Sequence, residues 1–276
     1  MKDQLLKLSS LALLGVLMTA CGGSSNNNDD EGSEIVDGGG DAGGGDAGGD
    51  GGTDDDSALY TVQFTNLTFN QPLSPAAIIL HTPGFNAFVD GEAASLGIEE
   101  LAEAGSPGEL LVEAQDSIYH LDSLPTTGAT PPKTISEVTT LTVPSSDVEN
   151  LRLSFATMLV NTNDAFTALN AVDVSGMTLD QSITFTAPSW DSGTEANIET
   201  ADSMPGPAAV AAGGGGEAAG FDAARDDLFD RVHFHRGALT HANAEDASLE
   251  GLSTSVLNES HRWDNPTARV TITRTR

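Results

Sequence analysis

The sequence contains a single cysteine. Because Cys21 has no possible partner among the 276 residues, no disulfide can form within the chain. Aromatic residues make up only 5% of the chain and hydrophobic residues 38%. The length suits one good-sized domain with extensions.

Basic residues are also scarce. Lys and Arg together number 11 against 41 Asp and Glu, which gives a formal net charge of -30. Nucleic-acid phosphates are bound by clusters of Lys and Arg, so nucleic acid is excluded as an expected partner. Cations are the natural counter-charge for such a chain, and its strong acidity favours solubility.

The N-terminal segment, residues 1–20, begins with two lysines and continues into an apolar run at 11–18. This is the pattern of a secretory signal peptide, and the apolar run is too short to span a bilayer. Residues 18–21, Met-Thr-Ala-Cys, resemble the bacterial lipobox, in which the cysteine is lipidated and becomes the mature N-terminus. We therefore expect cleavage before Cys21 and lipidation there; an ordinary secreted protein with an incidental cysteine is the alternative.

Residues 21–57 form a segment rich in glycine and aspartate, with no basic residue. A segment with so little apolar surface to bury is expected to be a disordered linker, extended by repulsion between like charges. A calcium-binding glycine–aspartate repeat would need a large apolar residue in each period, and none follows Val36 here. The sequence thus predicts a signal peptide at 1–20, a linker at 21–57 and a folded domain at 58–276.

Short β patterns dominate the predicted domain. Alternating or apolar stretches predict strands at 60–65, 76–81, 109–114, 134–143, 151–160, 181–186, 233–235 and 269–273. Helices are expected at 91–105, ending at a glycine cap, and at 221–232, with a small-residue loop at 208–220 between the second helix and the preceding strands. Many short strands and few helices indicate an all-β fold, an antiparallel β-sandwich.

Two turns rich in side-chain oxygens follow apolar segments. One covers 161–164 and the other 190–195, and we expect Asp164, Asp191 and Glu195 to lie close together at one end of the sandwich. Carboxylates brought together repel one another unless a cation lies between them. Calcium prefers such oxygen ligands, which makes these residues a candidate metal site; the alternative is that Asn-Asp and Ser-Gly are only turn formers.

The domain resembles the spondin N-terminal domain, known from F-spondin and mindin and found in bacterial secreted proteins. The likeness is carried by residues 60–75, His81, 91–95, 101–105, 158–166, 191–195 and 265–272. It implies an antiparallel β-sandwich with a calcium ion at one end. It also implies roles in adhesion and extracellular binding, not catalysis.

The resemblance assigns calcium ligands residue by residue. Asp164 and Asp191 look like two of the family's ligands, although Ser192 stands where alanine is more usual. A third ligand in animal members is an acidic residue just ahead of the central strand. Here the register is unclear, so Asp147, Glu149 or neither is implied to fill that role.

Two other functions compete with calcium binding. His233 and His235 would lie on one face of a strand, a spacing that can bind zinc or copper, although neighbouring arginines would repel a cation. A secreted hydrolase could instead use the clustered carboxylates as acid and base. No Gly-x-Ser-x-Gly or His-Glu-x-x-His motif is present.

The sequence thus predicts a non-enzymatic lipoprotein of the bacterial cell surface or periplasm. Its expected partners are the membrane, through lipidated Cys21, and an unknown extracellular or envelope ligand. Gly22 instead of aspartate after the cysteine favours sorting to the outer membrane. Calcium is its expected cofactor, and adhesion its expected role.

Overall fold

The computed structural model describes residues 56–215, 220–241 and 251–276. These belong to a compact unit that starts at Thr53. The signal peptide, Cys21 and all but the last residues of the linker lie outside the described residues, so their predictions stay predictions. Within the described ranges, no helix is both long and apolar enough to cross a membrane.

The described residues form ten strands in two antiparallel sheets. The strands are β1 (Ser57–Asn66), β2 (Ala77–His81), β3 (His120–Pro125), β4 (Thr139–Pro144), β5 (Arg152–Met158), β6 (Ala165–Asp173), β7 (Ser182–Ala187), β8 (Ser189–Asp191), β9 (His233–Phe234) and β10 (Ala268–Arg274). One sheet has the order β4-β1-β10-β7 and the other β3-β2-β5-β6-β8-β9. The predicted all-β antiparallel sandwich is confirmed.

The main core lies between the sheets. Strand β1 alternates strictly, so that Tyr60, Val62 and Phe64 point inward while the residues between them face solvent. Phe64 meets Phe155 of the opposite sheet, with 4.9 Å between ring centroids. Because of this alternation, β1 is recognisable in the sequence as a strand with one solvent-exposed face.

A layer of helices covers the outer face of the six-stranded sheet. Helices α1 (Leu96–Ala104) and α2 (Gly108–Gln115) pack their apolar residues, such as Leu101 and Leu110, into a second core with Ile79 and Phe166. Strands β2 and β5 are therefore buried on both faces, which explains why their sequences are apolar without alternation.

The predicted helix at 91–105 is confirmed from Leu96 onward. Ser95 caps its N-terminus by accepting a hydrogen bond from the Ile98 amide at 3.3 Å. Gly105 ends it in the left-handed conformation, with φ of 68°. The helix therefore has the local signals at both ends that define its length, and it presents its last turn to the end of the sandwich.

Two predicted elements are wrong. Residues 109–114, expected to be a strand, lie in α2, because a short apolar run alone does not distinguish a strand from a buried helix face. Residues 221–232, expected to be a helix, contain no helix. There the side chains of Asp226 and Asp227 accept hydrogen bonds from the backbone amides of Ala196 and Phe229, and such bonds compete with helix formation.

Other parts of the prediction were incomplete. Strands β3, β6 and β8 were not expected, and the predicted strand at 134–143 is regular only from Thr139. The loop expected at 208–220 overlaps a short helix, α3 (Pro207–Ala211), and residues 216–219 of it lie outside the described ranges. These elements are short or irregular, so their sequences show little of the periodicity from which strands and helices are predicted.

Candidate metal centre

The two oxygen-rich turns meet at one end of the six-stranded sheet. Strand β6 begins directly after Asp164, and its first residue, Ala165, lies opposite Asp191 at the end of β8. The Ser192 amide also donates to the Asp164 carbonyl at 3.2 Å. Antiparallel pairing of β6 and β8 thus brings Asp164 and Asp191 together, as expected from the sequence.

Asp164 is fully buried, and its two carboxylate oxygens have different surroundings. Oδ2 accepts hydrogen bonds from Ser192 Oγ at 2.8 Å, from the Thr194 amide at 2.9 Å and from the Glu195 amide at 3.1 Å. Oδ1 has no donor among the described residues. Burial, followed by the charge of Asp191, raises the pKa of Asp164. A buried carboxylate oxygen without a partner is unfavourable.

Asp191 is held by the loop that follows it. Its Oδ1 accepts from the Gly193 amide at 2.9 Å, and its Oδ2 accepts from Asn197 Nδ2 at 2.8 Å. Burial raises the pKa of Asp191. Gly193 has a φ of 73°, and a Cβ there would stand 2.4 Å from the Arg231 backbone nitrogen, so the Asp-Ser-Gly-Thr-Glu loop needs glycine at this position.

Glu195 lies beside Asp164 but less deeply. Its amide bonds to Asp164, while its side chain is half-buried next to Asn163. Burial raises the pKa of Glu195 to about 8, with further contributions from the negative charges of Glu103 and Asp164. All three metal-site residues predicted from the sequence are therefore near one another.

Glu103, which the sequence did not single out, belongs to the same cluster. It lies on the last turn of α1 and is 1% exposed. Its Oε2 accepts from the Asp222 amide at 2.9 Å, and its Oε1 has no donor among the described residues. Burial raises its pKa to about 7, and the charges of Glu99 and Asp164 add to the shift. A glutamate on an acidic helix is expected to face solvent, so the sequence offered no reason to place Glu103 in the site.

Glu199 is the second residue that was missed. It is fully buried and its φ is 44°, an uncommon value for a residue other than glycine. Its Oε1 accepts from the Leu239 amide at 3.0 Å, while Oε2 has no donor among the described residues. Burial, then the charges of Asp164 and Asp191, raises its pKa to about 7. Backbone strain of this kind concentrates at functional sites.

We call these five carboxylates the acidic centre: Glu103, Asp164, Asp191, Glu195 and Glu199. Among the ion pairs of the described residues, no Lys or Arg pairs with any of them. Arg225, for example, bonds to Glu99 and Asp230 outside the centre. Among the described residues, the only basic side chains within 4 Å of these carboxylates are two histidines. Their Nε2 atoms lie 3.8 and 3.7 Å from Asp191 Oδ2.

The side chains of the acidic centre are not already arranged around a single point. Within the described ranges, no group of three or more His, Cys, Asp or Glu side chains stands at metal-holding geometry. Ionised carboxylates without a cation repel one another.

The two histidines are His233 and His235, and the hydrogen bonds fix their tautomers. His233 Nδ1 lies 2.9 Å from the Arg231 carbonyl and donates to it, which leaves Nε2 free as an acceptor. His235 Nδ1 accepts from the Gly237 amide at 3.0 Å, so its Nε2 carries the proton and donates to Asn197 Oδ1 at 3.1 Å. A metal held by both imidazoles would have to break the Gly237 bond.

Asp147 and Glu149, considered as third ligands, lie elsewhere. They belong to a 3-10 helix, Ser145–Asn150, that immediately precedes β5. The 7 residues of β5 separate this helix from the loop that holds Asp164, a distance of roughly 20 Å along an extended strand. The sequence left open whether Asp147, Glu149 or neither is the third ligand. The structure favours neither.

The carboxylates of the acidic centre do not share one open pocket. Asp191 lines a cavity of about 460 Å³ together with His233 and Asp227, and Glu195 lines a different one of about 200 Å³. Asp164 is fully buried. A hydrolase needs its acid and base on the same bound substrate, and of this centre Asp191 and Glu195 line different cavities.

No family model matches this chain, and no curated protein matches it either. Its function is therefore inferred from the fold and from the acidic centre.

Proposed function

We propose that this protein is a calcium-binding, non-enzymatic module of the bacterial cell envelope. The observation that carries the proposal is Asp164. Its carboxylate is completely buried, one oxygen has no donor among the described residues, and four other carboxylates lie near enough for their charges to interact with it. A cation removes the repulsion and satisfies the unpartnered oxygen at the same time.

The chemistry of the ligands favours calcium. All members of the acidic centre offer oxygen, and the amide oxygen of Asn163 lies nearby, where it accepts from the Glu199 amide. Calcium accepts six to eight such ligands in flexible geometry, whereas magnesium demands a tight octahedron and retains water. Zinc and copper prefer nitrogen or sulfur, and His235 is already committed to Gly237.

Calcium at this position would tie together segments that are far apart in the sequence. The acidic centre draws on the end of α1, the turn before β6 and the loop after β8. The backbone amides of Asp222 and Leu239 bring in the chain between β8 and β10. A cation that fixes these loops would give a rigid surface for an extracellular or envelope ligand, which suits adhesion.

The position of the protein in the envelope follows from the N-terminal sequence. Lipidation of Cys21 would anchor the mature chain to a membrane, with outer-membrane sorting favoured by Gly22. The linker at 21–57, which carries acidic but no basic residues, would hold the domain away from the bilayer surface.

The test is the melting temperature of the full chain, in detergent, with millimolar calcium or with a chelator. Extracellular calcium modules bind with dissociation constants of about 0.1–1 mM. At one hundred times the dissociation constant, linkage adds about 2.7 kcal/mol to the free energy of unfolding. We expect calcium to raise the melting temperature by roughly 5–10 °C, at 2–4 °C per kcal/mol, and magnesium to act less. Equal melting temperatures in calcium and in chelator would falsify the proposal.

A further inference from the structure

A cavity of about 510 Å³ lies outside the acidic centre and is lined by three segments of the chain. They are residues 67–69 directly after β1, residues 236–239 shortly after β9 and residues 262–264 ahead of β10. We call this cavity the arginine cleft, because Arg236 and Arg262 both line it. Sites for small ligands have volumes of roughly 300–1,000 Å³, so its size suits a small molecule or one unit of a larger one.

Hydrogen bonds fix the walls of the arginine cleft. Gln71 Nε2 donates to the His261 carbonyl at 3.0 Å, which ties the turn after β1 to the segment ahead of β10. Trp263 Nε1 donates to Ser189 Oγ at 3.0 Å, which holds the indole ring against β8. The cleft is therefore shaped before any ligand binds, as small-ligand sites usually are.

The arginine cleft carries positive charge in a chain whose net charge is -30. In the part of the chain that the structure describes, Arg236 is exposed and belongs to no ion pair. Arg262 pairs with Glu259 at 3.4 Å, but both side chains are about half exposed, and such a pair contributes little. Lys133 Nζ lies 3.6 Å from the ring centroid of Phe69, which also lines the cleft. Both guanidinium groups thus remain accessible to an anion.

Two guanidinium groups on one cavity favour a compact anionic group. Each guanidinium can donate two parallel hydrogen bonds to a carboxylate or a phosphate. Outside the arginine cleft the chain is strongly acidic, so it repels nucleic acid and other extended polyanions. The charge distribution therefore suits a ligand whose negative charge is confined to one group.

The other side chains of the arginine cleft indicate what the anionic group is attached to. Phe69 is 61% exposed and Trp263 is partly exposed, so the cleft offers aromatic surface to a ring. Asp264 also lines the cleft and is exposed, and its carboxylate oxygens accept hydrogen bonds from hydroxyl groups. A fatty acid has no ring and no free hydroxyl, and inorganic phosphate has no apolar surface. A sugar has a ring with apolar C–H faces and several hydroxyl groups, and so matches both features.

We propose that the arginine cleft binds a sugar residue that carries a carboxylate or a phosphate group. Arg236 and Arg262 bind the anionic group, Asp264 accepts hydrogen bonds from the hydroxyl groups, and Phe69 packs against the ring. The proposal rests on the proposed function and deepens it, because it names the class of ligand for a module that binds one at the cell envelope.

The experiment is isothermal titration calorimetry on the full-length chain, in detergent and chelator. The probes are glucuronic acid, glucose phosphorylated on its primary hydroxyl, unmodified glucose and inorganic phosphate. We expect at least one of the acidic sugars to bind about tenfold or more tightly than glucose and inorganic phosphate, and the stronger of the two identifies the anionic group. If glucose binds as tightly as the acidic sugars, the arginines have no role. If inorganic phosphate does so, the ring has none, and either result overturns the proposal.

Variants locate the binding in the arginine cleft. Arg236→Gln should weaken binding of the acidic sugar about tenfold or more, because it removes charged hydrogen-bond donors. Arg269→Gln is the matched control, since Arg269 is an exposed arginine on β10 that does not line the cleft, and it should bind as the wild type does. Equal affinities of these two variants would overturn the proposal, once far-ultraviolet spectra show that both are folded.

Asp264→Asn tests the hydroxyl contacts. The variant should lower the ratio of the affinity for the sugar phosphate to that for inorganic phosphate, because both probes carry the same charged group and only one has sugar hydroxyls. An unchanged ratio would show that Asp264 does not contact the sugar.

The titration with glucuronic acid is repeated in millimolar calcium, so that failure of this proposal is distinguishable from failure of calcium binding. A melting temperature that responds to calcium, together with no binding of either acidic sugar, would overturn the sugar site and leave calcium binding standing. Binding of an acidic sugar by a protein whose melting temperature ignores calcium would do the reverse.

Discussion

At the residue scale, the two oxygens of Asp164 carry the proposal of a cation site. Three donors from the loop after β8 hold Oδ2, so the carboxylate cannot rotate freely. Oδ1 is left without a donor among the described residues. The hydrogen bonds favour the ionised form while burial and Asp191 oppose it, and burial has the larger effect on the pKa.

Asp191→Asn tests the charge of the centre without changing its shape. We expect the calcium-dependent rise in melting temperature to disappear or to shrink severalfold. The melting temperature in chelator should change little, because removal of a buried negative charge is offset by loss of the hydrogen bond from Gly193 or Asn197, which an amide nitrogen cannot accept. Asp147→Asn, at the far end of β5, should respond to calcium as the wild type does. Calcium responses that are the same in both variants would contradict this role of Asp191.

Gly193→Ala tests the loop that positions both aspartates. An alanine there adopts an unfavourable left-handed conformation, at about 1–2 kcal/mol, and also overlaps the Arg231 backbone. Gly91→Ala is a matched control, since Gly91 has a φ of 82° but no atom within 4 Å of an added Cβ. Denaturant unfolding should show a loss about 2 kcal/mol larger for Gly193→Ala. Similar losses would mean that the overlap is relieved at little cost.

At the scale of elements, the helix layer links the core to the acidic centre. Leu101 of α1 is buried in the second core, and Glu103 follows it on the same helix. The position of Glu103 therefore depends on how α1 packs against β5 and β6. In an isolated sandwich without helices, this carboxylate would have no fixed place at the end of the sheet.

Leu101→Ala and Leu141→Ala separate stability from calcium binding. Both leucines are fully buried, the first beneath α1 and the second in β4 between the sheets. Each substitution should cost about 2–5 kcal/mol of unfolding free energy. Only Leu101→Ala loosens the helix that carries Glu103, so calorimetry should show severalfold weaker calcium binding for that variant alone. Equal calcium affinities would argue against coupling through α1.

At the scale of the whole molecule, charge governs how stability depends on pH. The pKa values of Glu103 and Glu199 in the folded chain are about 7, and that of Glu195 is about 8. All three lie above the value of about 4.3 for an unperturbed glutamate. Between these limits the folded chain binds more protons than the unfolded chain, so the free energy of unfolding falls as pH rises.

The cation-free protein should therefore melt at a higher temperature at pH 5 than at pH 8. For each carboxyl, a pKa that is higher by one in the folded chain corresponds to about 1.4 kcal/mol, or roughly 3–5 °C for a domain of this size. Saturating calcium should flatten this dependence, because it replaces the protons as counter-charge. Thermal scans in chelator across pH 5–8 are the measurement. Below about pH 6.5, buried histidines with lowered pKa values, such as His235, act in the opposite direction. A melting temperature that rises with pH above that value would contradict the raised pKa values of the carboxyls.

Anchoring can be tested on the whole protein in cells. Cys21→Ser removes the only thiol that could carry a lipid, so we expect the variant to leave the membrane fraction for the soluble one. Fractionation followed by immunoblotting gives the result. If variant and wild type fractionate alike, the anchor is not at Cys21.

The sequence by itself determined the class of fold and three of the five carboxylates of the candidate site. Alternation in β1, β7 and β10 reveals strands with one solvent-facing side, because the period of two is a local property of the chain. The turns at Asp164 and Asp191 were recognisable because their residue types favour turns and offer oxygen.

Only the tertiary structure decided the rest. Residues 109–114 form a helix whose apolar side chains pack against the outer face of the six-stranded sheet. Their short apolar run does not itself specify this packing. Glu103 and Glu199 joined Asp164 through packing of α1 and through a strained loop, neither of which has a sequence period. Burial, which comes from contacts distant in the chain, raised the pKa values of these two glutamates well above the ordinary value.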